Sequence, residues 1–182
     1  MTHDERLREH ILANSNECET RLVSRAVSNG AVVIQPSEQL WKQLLEDATI
    51  IFNLGNSVPG ALMSVTDTVR GLCRQSVDNA LREFVTFNAI ENGRDYATDI
   101  QILDLELTTS SRFLKARDIY LGPVALTNPA LKAQTECQQY LHAWNMASHG
   151  NPQTSEVVLE EITAAEKACS LLTKRISHEL VT

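Results

Sequence analysis

The residues best suited to chemistry in this 182-residue chain are five histidines and four cysteines. A zinc or di-iron site on a helix needs His and Glu ligands three or four residues apart, because that spacing places both on one face. The chain contains no H-E-x-x-H motif and no paired E-x-x-H motif. His142 and His149 share a helix face but lie about 10 Å apart along it. We therefore predict no metal site and no cofactor.

Cys73 is the cysteine with the most favourable sequence setting for reactivity. Arg70 and Arg74 flank it at helical spacing, and their positive charges would lower the pKa of its thiol. Cys73 also falls on an apolar stripe, however, which favours a buried structural thiol. The chain has no G-x-S-x-G motif, no C-x-x-C pair and no cysteine next to a histidine. We therefore predict no catalytic residue, and we expect reduced, mostly buried thiols at Cys18, Cys73, Cys137 and Cys169.

Two further sequence patterns could bind an anion or take part in proton transfer. The loop from Gly55 to Gly60 precedes a helix, whose backbone amides could hold an anion, but it lacks the lysine of a phosphate-binding loop and is interpreted as an inter-helix turn. The carboxylate pairs Glu46-Asp47 and Glu160-Glu161 are adjacent in sequence, so they diverge by about 100° around a helix. We interpret both pairs as solvated surface.

The distribution of charge singles out the middle of the chain. The net charge of −7 argues against a general nucleic-acid binder, whereas residues 70–117 are neutral, with 7 basic and 7 acidic residues. An anionic partner would most readily contact this arginine-rich block, whose candidate contact residues are Arg70, Arg74, Arg82, Arg112, Lys115 and Arg117. The alternative is that these side chains pair on helix surfaces with Asp78, Glu83, Asp95 and Asp99.

A low content of turn-forming residues indicates the fold class. The chain has only 7 Gly and 5 Pro, and 43% of its residues are hydrophobic. Many short strands joined by tight turns are therefore unlikely to form, and we predict an all-α, single-domain bundle of five to seven helices. Residues 1–30 would form a peripheral N-terminal helix, and residues 36–182 the bundle core.

Apolar periodicity, capping residues and Gly or Pro corners place the individual helices. The longest of them is predicted to be central, and Gly71 within it marks a kink or a close helix crossing. Alternating Leu103, Leu105 and Leu107 also fit a strand, but no second strand exists to pair with them. The predicted helices are 2–30, 36–55, 59–92, 96–108, 111–120, 129–149 and a last one that starts near Thr154 or Ser155.

The last helix has the most regular apolar spacing in the chain. Its apolar residues alternate three and four apart, as in a coiled-coil seam. Such a seam packs either within the chain, which the pattern favours, or against another copy. The candidate assembly seam consists of Val158, Ile162, Ala165, Cys169, Leu172 and Ile176.

These observations favour a non-enzymatic subunit that assembles with itself or scaffolds other proteins, of the capsid or coat type. The first alternative is an adaptor or regulatory bundle that binds one protein partner. The second is a small-molecule-binding or catalytic bundle, with Cys73 or His142 as its first candidate residues. We expect partners to be further copies or another protein, with nucleic acid bound only through the arginine-rich block, and no membrane. With no signal peptide or membrane-spanning run, we expect a soluble protein inside the cell, or in a virus particle.

Overall fold

The chain folds as an all-α bundle, as the composition predicts. The computed structural model describes residues 40–122, 128–145 and 154–174. Helix accounts for 83% of these described residues, and none of them forms a strand. The predicted helix 2–30, His149 and Ile176 lie outside the described residues. The helices are α1 Leu40–Ser57, α2 Leu62–Glu91, α3 Tyr96–Asp104, α4 Thr109–Asp118, α5 Pro129–Cys137, α6 Leu141–Asn145 and α7 Ser155–Thr173.

Helix α2 is the axis of the bundle. It is 30 residues long, which corresponds to about 45 Å, and it contacts α1, α3, α4, α6 and α7. Its core side chains, among them Val77 and Leu81, are fully buried. The helix ends at Glu91, and Gly93 follows with a positive φ of 63° that favours glycine. The predicted long central helix is therefore confirmed.

Helix α7 packs its apolar seam inside the chain. Thr154 caps it, with its side chain accepting a hydrogen bond from the backbone N–H of Val157. The helix lies against α2, α5 and α1. The seam residues that the structure describes are buried in this packing, namely Val158, Ile162, Ala165, Cys169 and Leu172. They are therefore not free to contact a second copy, and the candidate assembly seam is corrected to an intramolecular one.

Helices α3 and α5 start where the sequence predicts, whereas α4 starts at Thr109 rather than at Ser111. Asp95, Thr108 and Asn128 each accept a hydrogen bond from a backbone N–H in the first turn of the helix that follows. The segment predicted over 96–108 is helical but ends at Asp104, because Thr108 has extended backbone and opens α4 instead. The strand alternative is absent from the described residues.

The single helix predicted over 129–149 is wrong. Helix α5 ends at Cys137, and a turn at 138–140 precedes α6. The backbone N–H of Tyr140 donates to the carbonyl of Cys137, as in a tight turn. Helix α6, which follows this turn, presents Trp144 to Glu161 on α7.

Two glycines lie inside helices for different reasons. Helix α1 runs through Gly55 to Ser57 rather than stopping at the glycine. A methyl group at Gly55 would overlap Cγ2 of Val65 on α2, so the missing side chain allows the two helices to approach. At Gly71 nothing lies within 4 Å of where a methyl group would stand. The predicted close crossing at Gly71 is therefore wrong.

This difference gives a matched pair of variants. We expect Gly55→Ala to lower the free energy of unfolding by roughly 1–2 kcal/mol, because Val65 must move to accommodate the methyl group. Gly71→Ala should raise it by about 0.5–1 kcal/mol, because alanine is the better helix former. Urea unfolding followed by circular dichroism measures both. Equal effects of the two substitutions would contradict the close α1–α2 approach.

Candidate functional site

The most buried ion pair in the described part of the chain joins α2 and α7. Nη2 of Arg70 donates to Oε1 of Glu161 at 2.7 Å, and Nε of Arg70 donates to Oε2 at 3.0 Å. Nε1 of Trp144 on α6 donates to the same Oε2 at 3.0 Å. The Glu161 side chain is 1% exposed. One carboxylate therefore joins three helices.

The interpretation of Glu160 and Glu161 as solvated surface is wrong for Glu161. Adjacent positions on a helix differ by 100° in direction, and α7 turns Glu161 into the core while Glu160 stays exposed. Glu160 accepts a hydrogen bond from Oη of Tyr140 at 3.1 Å. The sequence signal was the position of Glu161 next to Ile162 on the apolar stripe.

Arg70 has a structural role in this arrangement. The hydrogen bonds accepted by Glu161 raise the pKa of the Arg70 guanidinium above its usual value, against the opposing effect of burial. Its charge is neutralised by a partner that is itself buried. The structure therefore removes Arg70 from the surface on which an external anion would bind.

A second cluster of polar contacts surrounds Arg94, just beyond the C-terminal end of α2. Nη2 of Arg94 donates to Oδ1 of Asn88 at 3.1 Å and to the carbonyl of Ile119 at 2.9 Å. The same nitrogen lies 2.9 Å from Oδ2 of Asp99. Oδ1 of Asn88 also accepts from the backbone N–H of Leu121. These contacts attach the start of α3 and the end of α4 to α2.

A third arginine joins α4 to the middle of α2. Nη1 of Arg112 lies 2.9 Å from Oδ2 of Asp78, and its Nε donates to the carbonyl of Glu106 at 3.1 Å. Burial raises the pKa of the Asp78 carboxyl, and the charge of Arg112 opposes that shift. The pairing of helix arginines with Asp78 and Asp99, which the sequence offered as an alternative, is therefore present.

The remaining residues of the arginine-rich block are not gathered into one site. Arg82 pairs with Asp104 at 3.1 Å on the surface, and Nη1 of Arg117 donates to Gln134 at 3.3 Å. Nε of Arg74 is buried without a hydrogen-bond partner among the described residues. Lys115 lies in the last turn of α4. Nucleic-acid contact stays a prediction, and Arg74, Lys115 and Arg117 are the block residues outside the ion pairs.

The described cysteines are structural. Cys73, Cys137 and Cys169 are free and buried, and Cys18 lies outside the described residues. Burial raises the pKa of the Cys73 thiol far more than the charge of Arg70 lowers it. The hypothesis that flanking arginines activate Cys73 is therefore wrong, because Arg70 is committed to Glu161. His142 is exposed on α6, and no cluster of His, Cys, Asp and Glu within the described ranges fits a metal ion.

A shallow groove of about 640 Å³ lies beside the start of α1 and the end of α7. Trp41 forms one wall, and its Nε1 is buried without a hydrogen-bond partner in the described part of the chain. Most of the other lining side chains are charged lysines and glutamates that face solvent. Ser170 and Thr173 are the hydroxyl-bearing side chains of the lining.

Two groups of large apolar side chains are exposed at turns between helices. The tip patch lies where α1 turns into α2 and consists of Ile50, Leu54, Val58 and Met63, each more than half exposed. The corner patch, Leu105 and Leu107, lies between α3 and α4 and is 78% and 92% exposed. Exposed groups of large apolar side chains are typical of protein contact surfaces.

The two patches are well separated along α2. Leu105 follows Asp104, which pairs with Arg82, and Arg82 lies 19 residues beyond Met63 on α2. At 1.5 Å per residue, Met63 and Arg82 lie about 29 Å apart along the axis of α2. The sequence contained a signal for the tip patch, because Ile50 and Leu54 lie one turn apart and outside the stripe of Trp41, Leu44 and Leu45.

The buried pair predicts a characteristic mutational pattern. Glu161→Gln should cost about 3 kcal/mol or more of unfolding free energy, because it leaves the charge of Arg70 unpaired in the core. The double variant Arg70→Met with Glu161→Met should cost less than Glu161→Gln alone.

Urea unfolding measures this pattern, and Arg82→Met is the surface control. That variant removes the exposed pair with Asp104 and should change stability by less than about 1 kcal/mol. The assignment would be contradicted if the double variant lost as much unfolding free energy as the Arg70→Met and Glu161→Met single variants lose in sum.

Glu83 on α2 predicts a pH dependence of stability. Burial raises the pKa of its carboxyl from 4.5 to about 7, and Lys42 opposes this. The unfolded chain loses this proton at lower pH than the folded chain, so the contribution of Glu83 to stability falls between pH 4.5 and 7. Glu83→Gln should therefore be more stable than the natural chain by roughly 1–2 kcal/mol at pH 8 and nearly equal to it at pH 4. A pH-independent difference in urea midpoint would contradict this.

No described helix combines the length and apolar content needed to cross a membrane. Comparison with protein-family models, with curated proteins and with solved structures finds no match to this chain.

Proposed function

We propose that this chain is a non-enzymatic structural subunit that assembles with further copies of itself, of the capsid, coat or scaffold type. The observation that carries the proposal is the pair of separate apolar patches at the tip and the corner. Six large apolar side chains exposed at two places contribute little to the stability of a monomer. A subunit with two neighbours would bury both patches.

The described core supports this proposal because it needs no partner to be complete. Its apolar side chains are buried in one cluster that α1, α2 and α7 share with the shorter helices. The ion pairs of Arg70 and Arg112 cross-link those helices. The exposed leucines are therefore additional to a filled core rather than displaced from it.

Nucleic acid is a second, conditional part of the proposal. An acidic subunit can still carry nucleic acid if a few basic side chains face inward in the assembly and the rest of its surface faces neighbours. Arg74, Lys115 and Arg117 would be the contact residues, since Arg70, Arg82 and Arg112 are in ion pairs.

Mass measurement in solution tests the function. Light scattering at two salt concentrations should find species many times heavier than the 20.2 kDa chain. The absorbance ratio at 260 and 280 nm of the same species reports whether it carries nucleic acid. A monomer or dimer at every concentration and salt would overturn the proposal and favour the adaptor alternative. A large species free of nucleic acid would overturn only the arginine assignment.

A further inference from the structure

We propose that Asn92 and Gly93, at the C-terminal end of α2, form a site of spontaneous deamidation whose rate is controlled by the helix end. The proposal is independent of the assembly function and concerns a covalent change in the chain itself. Both residues are exposed, so water reaches them. An asparagine side chain is converted most readily when glycine follows it, because glycine has no Cβ to hinder the reaction.

The reaction needs only the chain and water. The backbone nitrogen of Gly93 attacks Cγ of Asn92, a new N–C bond closes a five-membered succinimide ring, and the Cγ–Nδ2 bond breaks. Nδ2 leaves as ammonia, and the proton lost by the Gly93 N–H balances it. Water then opens the ring at either of its carbonyls, which leaves aspartate or isoaspartate at position 92.

The way in which α2 ends requires glycine after Asn92. The N–H of Gly93 donates to the carbonyl of Ile90 at 3.1 Å. The N–H of Arg94 donates to the carbonyl of Ala89 at 2.8 Å. These two bonds form a Schellman motif, and Gly93 has the positive φ of 63° that the motif needs. The neighbour that makes Asn92 reactive is therefore fixed by the helix end.

The same helix end holds both groups that must react. Nδ2 of Asn92 donates to the carbonyl of Asn88 at 2.7 Å. The N–H that must lose its proton donates to the carbonyl of Ile90. Both hydrogen bonds have to open before the nitrogen of Gly93 can attack Cγ of Asn92. Because each bond lowers the fraction of chains in which this end is open, the folded chain reacts only through local opening.

Arg94 opposes that opening from the other side of Gly93. Its guanidinium contacts Oδ1 of Asn88 on α2 and Oδ2 of Asp99 on α3. It also donates to the carbonyl of Ile119 at the end of α4. The chain directly after the reactive pair is therefore held by three helices, and loss of these contacts should make the helix end open more often.

The product loosens the contacts that slowed its formation. An aspartate in place of Asn92 has no N–H to donate to the carbonyl of Asn88. Its negative charge lies beside the last carbonyls of the helix, which is unfavourable. Isoaspartate adds one carbon to the main chain and shifts Gly93 and Arg94 relative to the carbonyls that they contact. Deamidation therefore weakens, irreversibly, the attachment of α3 and α4 to α2.

Peptide mapping by mass spectrometry tests the proposal. The full chain and a synthetic peptide of residues 83–94 are incubated side by side in mildly alkaline buffer, and the conversion of Asn92 to aspartate and isoaspartate is followed. Since two hydrogen bonds must open, the folded chain should react about tenfold more slowly than the peptide. In denaturing urea the two rates should be equal. Asn92→Gln should show no conversion at this position, because glutamine cannot close a five-membered ring.

Arg94→Met should speed the reaction of the folded chain about threefold or more. Arg94→Lys keeps the charge without the forked donors and should give an intermediate rate. The matched control is Arg82→Met on the same helix, which removes the surface pair with Asp104 and should leave the rate unchanged. Circular dichroism checks that each variant is folded.

The product is tested separately with Asn92→Asp, which should have a lower urea midpoint than the natural chain. Four results would overturn the proposal: an Asn92 that stays intact in the folded chain while the peptide converts, equal rates in the folded chain and the peptide, folded Arg94 variants that react no faster, or an Asn92→Asp variant of unchanged stability.

Discussion

The ion pair between Arg70 and Glu161 is the constraint on which the rest of this bundle depends. Two buried charges are tolerable in a core only when they neutralise each other and their remaining hydrogen-bonding atoms find partners. Glu161 accepts from Arg70 on α2 and from Trp144 on α6. One carboxylate therefore cross-links three helices, and the turn between α5 and α6 precedes the helix that carries the indole.

Arginine is used repeatedly in the same way around α2. Arg94 and Arg112 each bind a carboxylate and a backbone carbonyl from different segments, as the several donors of a planar guanidinium permit. Arg82, Arg94 and Arg112 pair with carboxylates inside residues 70–117, whereas Arg70 pairs with Glu161 outside them. The arginine-rich block suggested a site for an anionic partner by its composition. In the structure, Arg70, Arg94 and Arg112 of this block cross-link helices instead.

Because these ion pairs lie between helices, the exposed side chains are available for contacts with other molecules. The side chains that are neither buried nor paired include the leucines of the tip and the corner. Both patches lie at turns between helices, where hydrogen bonds and close helix contacts hold the backbone in place. Rigid apolar surface of this kind suits a subunit that must repeat the same contact many times, which is why the proposal is one of assembly.

The sequence by itself determined the features that depend on neighbours along the chain. The starts of α3, α5 and α7, the long central helix and the apolar stripe of α7 are all set by spacing and capping within a few residues. The tertiary structure decided what depends on distant residues. Glu161 is buried against Arg70, the missing side chain of Gly55 allows Val65 to approach, and burial raises the pKa of the Cys73 thiol more than the neighbouring charge of Arg70 lowers it. The apolar stripes indicate that Glu161 and Cys73 face inward, but the partner of Glu161 and the close contact at Gly55 come from other helices, which only folding brings together.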